Sequence, residues 1–202
     1  MTKRLLLARH AQVDPQLAGR FLGSTDVPLS EYGLRQTSAL AQTLSLQSDA
    51  PIVASPMCRV VQTAEAFGRE FSTDPDLREI DFGRWEGLSF DEITASESSD
   101  LIDGWSRFDP LFVFPGGESL AGFTERVGRA ADRLSKMLSD TVLVITHGGV
   151  IRTMICLLLG LDPSNYLLFE VQPASITTID LYEGRGVLTG LNNLSHWKET
   201  LL

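Results

Sequence analysis

The sequence predicts an α/β fold, a three-layer α/β/α sandwich with a mostly parallel sheet and a C-terminal antiparallel hairpin. Short apolar, strand-like segments alternate with helical patterns along most of the 202 residues, which is typical of a parallel sheet covered by helices. The last two strand-like segments are separated by one tight turn, so they pair antiparallel. A hydrophobic fraction of 43% with dispersed charge excludes a disordered chain and is enough for one core, so we expect a single domain over residues 1–202.

The first half of the chain alternates two strands and two helices. A continuous apolar run predicts a strand over Lys3–Arg9, and PIVA predicts a short buried strand over Pro51–Ala54. A helix is expected over Ser30–Leu46, capped by Ser30, and a second helix begins at Ser55-Pro56 with Ser55 as its N-cap. The expected apolar face of the first helix consists of Leu34, Leu40, Ala41 and Leu44.

The second half continues the alternation after an irregular region. Its predicted elements follow in chain order: a loop over Leu77–Gly87, a partly helical stretch over Phe90–Ile102, an irregular, aromatic, lid-like insertion over Asp103–Gly117, an amphipathic helix over Glu118–Leu138, a buried strand over Thr141–Thr146, an apolar helix over Gly149–Leu159 that is buried all round, and two strands over Ser175–Tyr182 and Gly186–Leu191 joined by the turn Glu183-Gly184-Arg185. Leu120, Phe123, Val127, Ala131, Leu134 and Leu138 share one face of the amphipathic helix.

Charge and cysteine content narrow the possible functions. A net charge of −9 argues against nucleic acid or an anionic membrane as a partner, but it leaves a small anionic substrate possible. The N-terminal segment has no cleavage signature, and no apolar run reaches the roughly 18 residues that a membrane span needs, so we expect a cytoplasmic protein. Cys58 and Cys156 are expected to be free thiols, with a disulfide left open, and the spacing of His and Cys argues against a zinc site.

Basic and imidazole side chains stand where three segments end at the same expected edge of the sheet. Arg9-His10 follows the first strand, Arg59 lies in the first turn of the second helix, and His147-Gly148 follows the buried strand. Taken singly, such an arginine is more often solvated and such a histidine more often packed. Together, at the carboxyl edge where α/β proteins bind ligands, they indicate a site for a phosphoryl group, because guanidinium groups bind its oxygens.

A series of motifs resembles the histidine phosphatase superfamily, in its phosphoglycerate mutase-like branch. The matching stretches occur in the order of that family: Arg9-His10-Ala11-Gln12-Val13, GRFLGSTDVPLSEYG (19–33), SPMCRVVQTAEAF (55–67), LREIDFGRWEG (77–87), PGGESLAGFTERV (115–127) and VLVITHGGVIRTMI (142–155). The resemblance implies a phosphoglycerate mutase-like fold without metal or cofactor. It also implies that His10 is a nucleophile forming phosphohistidine, that Glu79 is the acid and base, and that Arg9, Arg59, His147 and the backbone of Gly148 bind the phosphoryl group. Without the resemblance, the sequence does not distinguish Glu79 from Asp81, Glu86 or Glu118 as the acid and base. Glu118 is expected instead to stabilise the start of its own helix.

The chain departs from the family pattern beside the expected nucleophile. Ala11, Gln12 and Val13 replace the usual Gly, Glu and Thr, and Ala11 would be strained if the backbone there required a positive φ. Gln16 stands where many relatives have asparagine and is expected to contribute an amide to substrate binding. These changes leave rate and substrate open, so a weakly catalytic phospholigand-binding protein and a phosphoglycerate mutase stay as alternatives to a phosphatase.

The substrate expected from the resemblance is a small phosphomonoester. The motifs are most like those of the α-ribazole phosphatases of cobalamin assembly, and Trp105, Phe108, Phe112 and Phe114 could form a wall for a flat ring or could simply be packed. A broad sugar-phosphate phosphatase is the alternative. His196 matches no motif and is expected at the surface, and the sequence does not indicate an oligomeric state.

Overall fold

Six strands form one sheet in the computed structural model, which describes residues 2–45, 50–183 and 185–197. The strands are β1 (Lys3–Arg9), β2 (Ile52–Ala54), β3 (Ser72–Thr73), β4 (Thr141–Thr146), β5 (Ile176–Tyr182) and β6 (Arg185–Asn193), in the spatial order β3-β2-β4-β1-β5-β6. β1 to β4 run parallel, whereas β5 is antiparallel to both β1 and β6. The predicted α/β architecture and its C-terminal antiparallel hairpin are therefore confirmed.

Helices cover both faces of the sheet, because alternate residues of the strands point to opposite faces. The helices are α1 (Glu31–Ser45), α2 (Cys58–Glu65), α3 (Phe90–Ser96), α4 (Ser99–Ser106), α5 (Leu120–Lys136) and α6 (Gly148–Leu159). Leu143 and Ile145 of β4 pack in one cluster with α1 and α2. Val142 and Val144 pack in a second cluster with α5 and α6. These two clusters are the interfaces of a three-layer sandwich.

The helix boundaries differ from the sequence prediction where capping was misassigned. Ser30 caps α1 as predicted, since its Oγ accepts a hydrogen bond from the Gly33 N–H at 3.0 Å; Leu46 lies outside the described residues. The prediction that Ser55 caps α2 is wrong. The helix begins at Cys58 after Met57, which makes no side-chain cap.

Two predicted apolar faces extend too far along their helices. Leu34 is half-exposed and Leu138 is fully exposed, because α5 ends at Lys136 and Leu138 lies beyond it. α5 also begins later than predicted, with Ser119 as its N-cap. Arg152 and Leu157–Leu159 are only partly buried, so α6 is not buried all round.

The expected insertion over Asp103–Gly117 is less irregular than predicted. Its first residues complete α4, which ends at Ser106. The rest folds back through a bridge between Val113 and Ser119. The predicted loop over Leu77–Gly87 contains a 3₁₀ turn over Gly83–Trp85, and Gly184 of the hairpin turn lies outside the described residues. No helix in the described ranges is long and apolar enough to cross a membrane.

Candidate active site

The strand register brings two histidines together at the carboxyl edge of the sheet. β1 and β4 are neighbours with Arg9 opposite Thr146, so the residues that follow, His10 and His147, leave the sheet side by side. The His10 N–H donates to the Thr146 carbonyl at 2.9 Å. Both rings are buried, and their centroids lie 5.2 Å apart. The two histidines are far apart in the sequence, and the parallel pairing of β1 with β4 brings them close together in space.

His10 is held as a neutral imidazole with one nitrogen available. Its Nδ1 lies 2.8 Å from the Ala11 carbonyl oxygen, which can only accept, so Nδ1 carries the proton and Nε2 carries the lone pair. Burial, together with the charges of Arg9 and Arg59, holds the pKa of His10 well below its usual value. A neutral imidazole beside guanidinium groups can act as a nucleophile toward phosphorus.

Three buried nitrogens around His10 have no hydrogen-bond partner within the described part of the chain. They are His147 Nδ1, Arg9 Nε and Arg59 Nε. The opposite ring nitrogen of His147 lies 2.9 Å from the Ser55 hydroxyl, which orients the ring and explains why Ser55 is not a helix cap. Burial, followed by the charge of Arg59, lowers the pKa of His147 well below its usual value. Buried polar groups are normally paired, so these nitrogens together form a site for the oxygens of an anion.

Backbone carbonyls orient the two guanidinium groups. Arg9 donates from Nη1 to the Val171 carbonyl at 2.7 Å, and burial lowers the pKa of Arg9 to about 10, so it stays charged at neutral pH. Arg59 is wholly buried and donates to the carbonyls of Gly23 and Thr25 at 2.8 and 2.9 Å. Arg9 forms no ion pair in the described ranges, and Arg59 has one at 3.9 Å, to Asp26. Direct ion pairs therefore neutralise little of this charge, although Arg9 lines the cavity that contains His10 whereas Arg59 does not.

The carboxylate of Glu86 fixes the loop that holds Arg59. Glu86 accepts hydrogen bonds from the N–H groups of Gly23, Ser24 and Thr25, at 2.8 to 3.2 Å. A Cβ on Gly23 would lie 1.8 Å from the Ile80 carbonyl oxygen, so only glycine allows the loop to approach this closely. From the sequence alone, Glu86 is one of the candidates for the acid. In the structure it instead supports the carbonyls that bind Arg59.

The two glycines after His147 make room for two functional side chains. A Cβ on Gly148 would lie 3.4 Å from the Arg9 guanidinium carbon, and a Cβ on Gly149 would lie 2.4 Å from Glu79 Oε1. The Gly149 N–H at the start of α6 donates to Glu79 Oε2 at 2.9 Å. Glu79 therefore sits at the N-terminus of α6, where the helix dipole favours a carboxylate. Glu79 and His10 both line the same cavity.

A second arginine–glutamate pair positions the segment that carries Glu79. Arg126 of α5 forms a two-point ion pair with Glu118, at 2.7 and 2.8 Å, and donates to the backbone carbonyls of Asp76, Arg78 and Glu79. The expectation that Glu118 serves the start of its own helix is wrong, because its carboxylate is engaged by Arg126. The pair holds the backbone of Glu79, and neither Arg126 nor Glu118 lines the cavity that contains His10.

The cavity above His10 has a volume of about 440 Å³ and a partly aromatic wall. Trp105, Phe108 and Phe114 line it, while Phe112 is packed in the core, as Phe114 also is, so both alternatives that the sequence left open occur. Sequence reasoning missed further lining residues: Gln12, Phe82, Arg152 and Tyr166. Of these residues, Arg152 could have been found from the sequence. It follows His147 by five residues, so it lies one to two helical turns further along the same helix.

The residues that depart from the family pattern are accommodated without strain. Ala11 is buried against Leu29 and Ala174 and does not have a positive φ, so the expected conflict at this position does not arise. Gln12 lines the cavity, and its N–H donates to Gln36 of α1 at 3.0 Å. Gln16 is exposed and is not among the residues that line the cavity, so the structure does not place its amide near His10.

The remaining singled-out residues lie away from the cavity wall. Cys58 and Cys156 are free thiols, as expected. His196 was expected at the surface, but its ring is half-buried, and burial lowers its pKa. Within the described ranges, no group of three or more His, Cys, Asp or Glu side chains is placed to hold a metal ion.

Comparisons with known proteins agree with this geometry. The model of the histidine phosphatase superfamily (branch 1) matches residues 5–194. Phosphoserine phosphatase 1 of Hydrogenobacter thermophilus is 35% identical over 201 residues, covering 97% of this chain and 95% of the relative. The adenosylcobalamin/alpha-ribazole phosphatase of Salmonella typhimurium is 29% identical over 200 residues, covering 96% and 98%. The crystal structure of an Entamoeba histolytica phosphoserine phosphatase with 3-phosphoglyceric acid superposes with a TM-score of 0.85 at 28% identity, covering 96% of this chain and 98% of that one.

Proposed function

The chain belongs to branch 1 of the histidine phosphatase superfamily, and from that premise we propose that it hydrolyses a small-molecule phosphomonoester through a phosphohistidine on His10. The observation that carries the proposal is the environment of His10. Within the described residues, no hydrogen bond engages its Nε2, and buried nitrogens of Arg9, Arg59 and His147 at the same edge of the sheet have no partner. This arrangement binds the oxygens of a phosphoryl group and presents a nucleophile to its phosphorus.

The proposed reaction has two steps. In the first, His10 Nε2 attacks phosphorus, the N–P bond forms, and the ester P–O bond breaks while Glu79 gives a proton to the leaving oxygen. In the second, Glu79 takes a proton from water, the water oxygen attacks phosphorus, and the N–P bond breaks to release inorganic phosphate. Arg9 and Arg59 stabilise the charge on the equatorial oxygens in both steps. A protein nucleophile accounts for the transfer without a metal.

The position of Glu79 supports its role as acid and base. Its carboxylate lines the same cavity as His10 and is fixed by the Gly149 N–H. Asp81, the nearest alternative in the sequence, accepts from the Ser24 hydroxyl and the Gly83 N–H and does not line the cavity.

Phosphate release separates a phosphatase from the alternatives. We would incubate the protein with EDTA and a panel of phosphomonoesters that includes α-ribazole 5′-phosphate, phosphoserine and 3-phosphoglycerate. Release that is lost in His10→Ala and retained in His196→Gln, a histidine outside the cavity, is the expected result. Quenching with alkaline detergent during turnover should trap base-stable, acid-labile phosphate on the wild-type protein and on His196→Gln, but not on His10→Ala.

Two other results would overturn the proposal. Conversion of 3-phosphoglycerate to its 2-phospho isomer without phosphate release would identify a mutase. Tight binding of inorganic phosphate with no release from any ester would identify a phospholigand-binding protein. Hydrolysis of α-ribazole 5′-phosphate above all other esters would assign the substrate to the class in cobalamin assembly, which the aromatic side chains of Trp105 and Phe108 in the cavity wall support.

A further inference from the structure

We propose that Arg152 and Tyr166 form a subsite for a carboxylate on the leaving group, so that the substrate is a compact phosphorylated carboxylic acid. The inference rests on the proposed phosphatase function and concerns the part of the cavity beyond the phosphoryl group. Both residues line the cavity that contains His10. Arg152 lies on α6, and Tyr166 lies in the 3₁₀ segment Pro163–Leu168 that follows.

Arg152 is oriented by the backbone, and its charge is not neutralised. Its Nε donates to the Phe169 carbonyl at 2.8 Å, which fixes the plane of the guanidinium group. In the described ranges, Arg152 forms no ion pair. Arg20, another arginine of the cavity wall, is paired instead with Glu92 at 2.7 Å. Arg152 therefore retains a fork of N–H donors suited to two carboxylate oxygens.

Arg152 stands beside Arg9 in a region with little compensating negative charge. A Cβ on Gly148 would lie 3.4 Å from Arg9 Nε and 3.5 Å from Arg152 Nη1, so the two guanidinium groups flank the same point. The charge of Arg152 is one of the causes that lower the pKa of Arg9. Glu79 and Asp14 are the carboxylates of the cavity wall. A ligand with two acidic groups would relieve the repulsion, with its phosphoryl group at Arg9 and its second anion at Arg152.

Tyr166 supplies an uncharged donor on the wall of the cavity that Arg152 also lines. Burial raises the pKa of Tyr166 to about 12, so its hydroxyl stays protonated at neutral pH. Arg152 and Tyr166 line the same cavity, and the Tyr166 hydroxyl shares a hydrogen bond with the Trp105 side chain. The Tyr166 ring packs edge-on against Phe108 with centroids 5.0 Å apart. A fixed hydroxyl and a fixed guanidinium group together suit a carboxylate better than a neutral sugar hydroxyl.

The closeness of the two arginines limits the leaving group. Because both flank Gly148, the carboxylate must lie only a few bonds from the ester oxygen, as it does in phosphorylated hydroxy and amino acids. A ribosyl benzimidazole leaving group carries no acid and leaves Arg152 without an anionic partner. The aromatic wall then accommodates any larger substituent of the acid.

Two esters that differ in one group test the subsite. 3-Phosphoglycerate carries a carboxylate where glycerol 3-phosphate carries a hydroxymethyl group. In Arg152→Gln, the amide can still donate to the Phe169 carbonyl from a position near that of Nε, while the charge is lost. We expect kcat/KM for 3-phosphoglycerate to fall roughly 10- to 100-fold, the range of a charged hydrogen bond, and kcat/KM for glycerol 3-phosphate to change less than about threefold.

Control variants separate a local effect from a change in charge or fold. Lys136→Gln removes one positive charge from an exposed side chain at the end of α5 and should leave the ratio of the two esters unchanged. Arg152→Lys keeps the charge and should restore part of the preference for 3-phosphoglycerate. Equal losses on both esters in Arg152→Gln, or no preference for the acid in the wild type, would overturn the subsite.

Binding measurements keep the test independent of catalysis. In the His10→Ala background, titration calorimetry should show tighter binding of 3-phosphoglycerate than of glycerol 3-phosphate, and the difference should disappear when Arg152→Gln is added. If α-ribazole 5′-phosphate is the best substrate and Arg152→Gln leaves its hydrolysis unchanged, the subsite is refuted while the phosphatase function stands. If no ester is hydrolysed but the binding difference is present, the phosphatase proposal fails and the subsite stands.

Discussion

Replacement of Glu86 by glutamine tests whether Arg59 depends on the loop that precedes α1. Glu86 Oε1 accepts from Ser24 N, Ser24 Oγ and Phe82 N. Its Oε2 accepts from Gly23 N, Thr25 N and Thr25 Oγ1. Whichever oxygen becomes the amide nitrogen, two backbone N–H groups lose their acceptor, while the hydroxyls can turn away. At about 1–1.5 kcal/mol for each N–H of a half-buried site, Glu86→Gln should lower the free energy of unfolding by roughly 2–3 kcal/mol.

Glu86→Gln should also lower the rate of phosphoryl transfer, because it changes the position of Arg59. The carbonyls of Gly23 and Thr25 hold both terminal nitrogens of Arg59, so loosening the loop leaves this guanidinium group less well positioned for the transition state. We expect kcat to fall roughly tenfold or more, with a smaller change in KM.

Urea denaturation and steady-state phosphate release would measure both effects of Glu86→Gln. Glu125→Gln, which alters an exposed i,i+4 pair on α5, serves as the matched control. A folded Glu86→Gln protein with wild-type kcat would refute the dependence of Arg59 on this loop. An unchanged midpoint of denaturation would refute the claim that the lost hydrogen bonds of Glu86 destabilise the fold.

Three further changes have defined outcomes. Gly149→Ala should displace the Glu79 carboxylate, because the new Cβ would lie 2.4 Å from Oε1; steady-state kinetics should show kcat reduced roughly 100-fold, with inorganic phosphate still bound. Ala11→Gly should not improve the protein but should lower its stability by about 1–2 kcal/mol in chemical denaturation, since a buried methyl and backbone rigidity are lost at a φ that is not positive. Because His10 and His147 have pKa values lowered by burial, they stay neutral in the folded protein while the unfolded chain binds protons below about pH 6.5. The free energy of unfolding should therefore fall as the pH is lowered from 7.5 to 5.5, by up to about 1.4 kcal/mol per pH unit for each histidine, and His10→Gln should reduce that slope; an identical slope in the variant would contradict the assignment.

The fold could be predicted from the sequence where burial is periodic and continuous. β1 and β4 have the predicted boundaries, because apolar runs of this length, flanked by turns, have few other solutions. The prediction failed where the outcome depends on tertiary contacts. Ser55 reads as an N-cap next to a proline, yet its hydroxyl lies beside His147, which is 92 residues away along the chain. Leu138 continues the spacing of α5 but lies after its last turn, and spacing alone does not mark that end.

The residues of the candidate site could be predicted from the sequence at the ends of strands but not in loops. Arg9, His10 and His147 could be placed together because the carboxyl ends of parallel strands share one edge. Glu79 could be chosen only through the resemblance, since what distinguishes it is the Gly149 N–H, a contact between distant segments. Arg152 and Tyr166 were missed for the same reason. The residues around them belong to other helices, strands and loops, and a local sequence pattern does not predict which side chains line a cavity.

The unpartnered nitrogens at the sheet edge connect the fold to the proposed chemistry. Each buried polar group without a partner costs about 1–3 kcal/mol of folding free energy, and three lie together on Arg9, Arg59 and His147. The protein tolerates this cost because the neighbouring strands and helices are apolar on both faces of the sheet. A phosphoryl group would supply acceptors to side chains whose orientation is already fixed by backbone carbonyls and the Ser55 hydroxyl. The cost of leaving these nitrogens unpaired is thus recovered on binding, and most completely in the transition state, where the charge is spread over the three equatorial oxygens of the phosphoryl group.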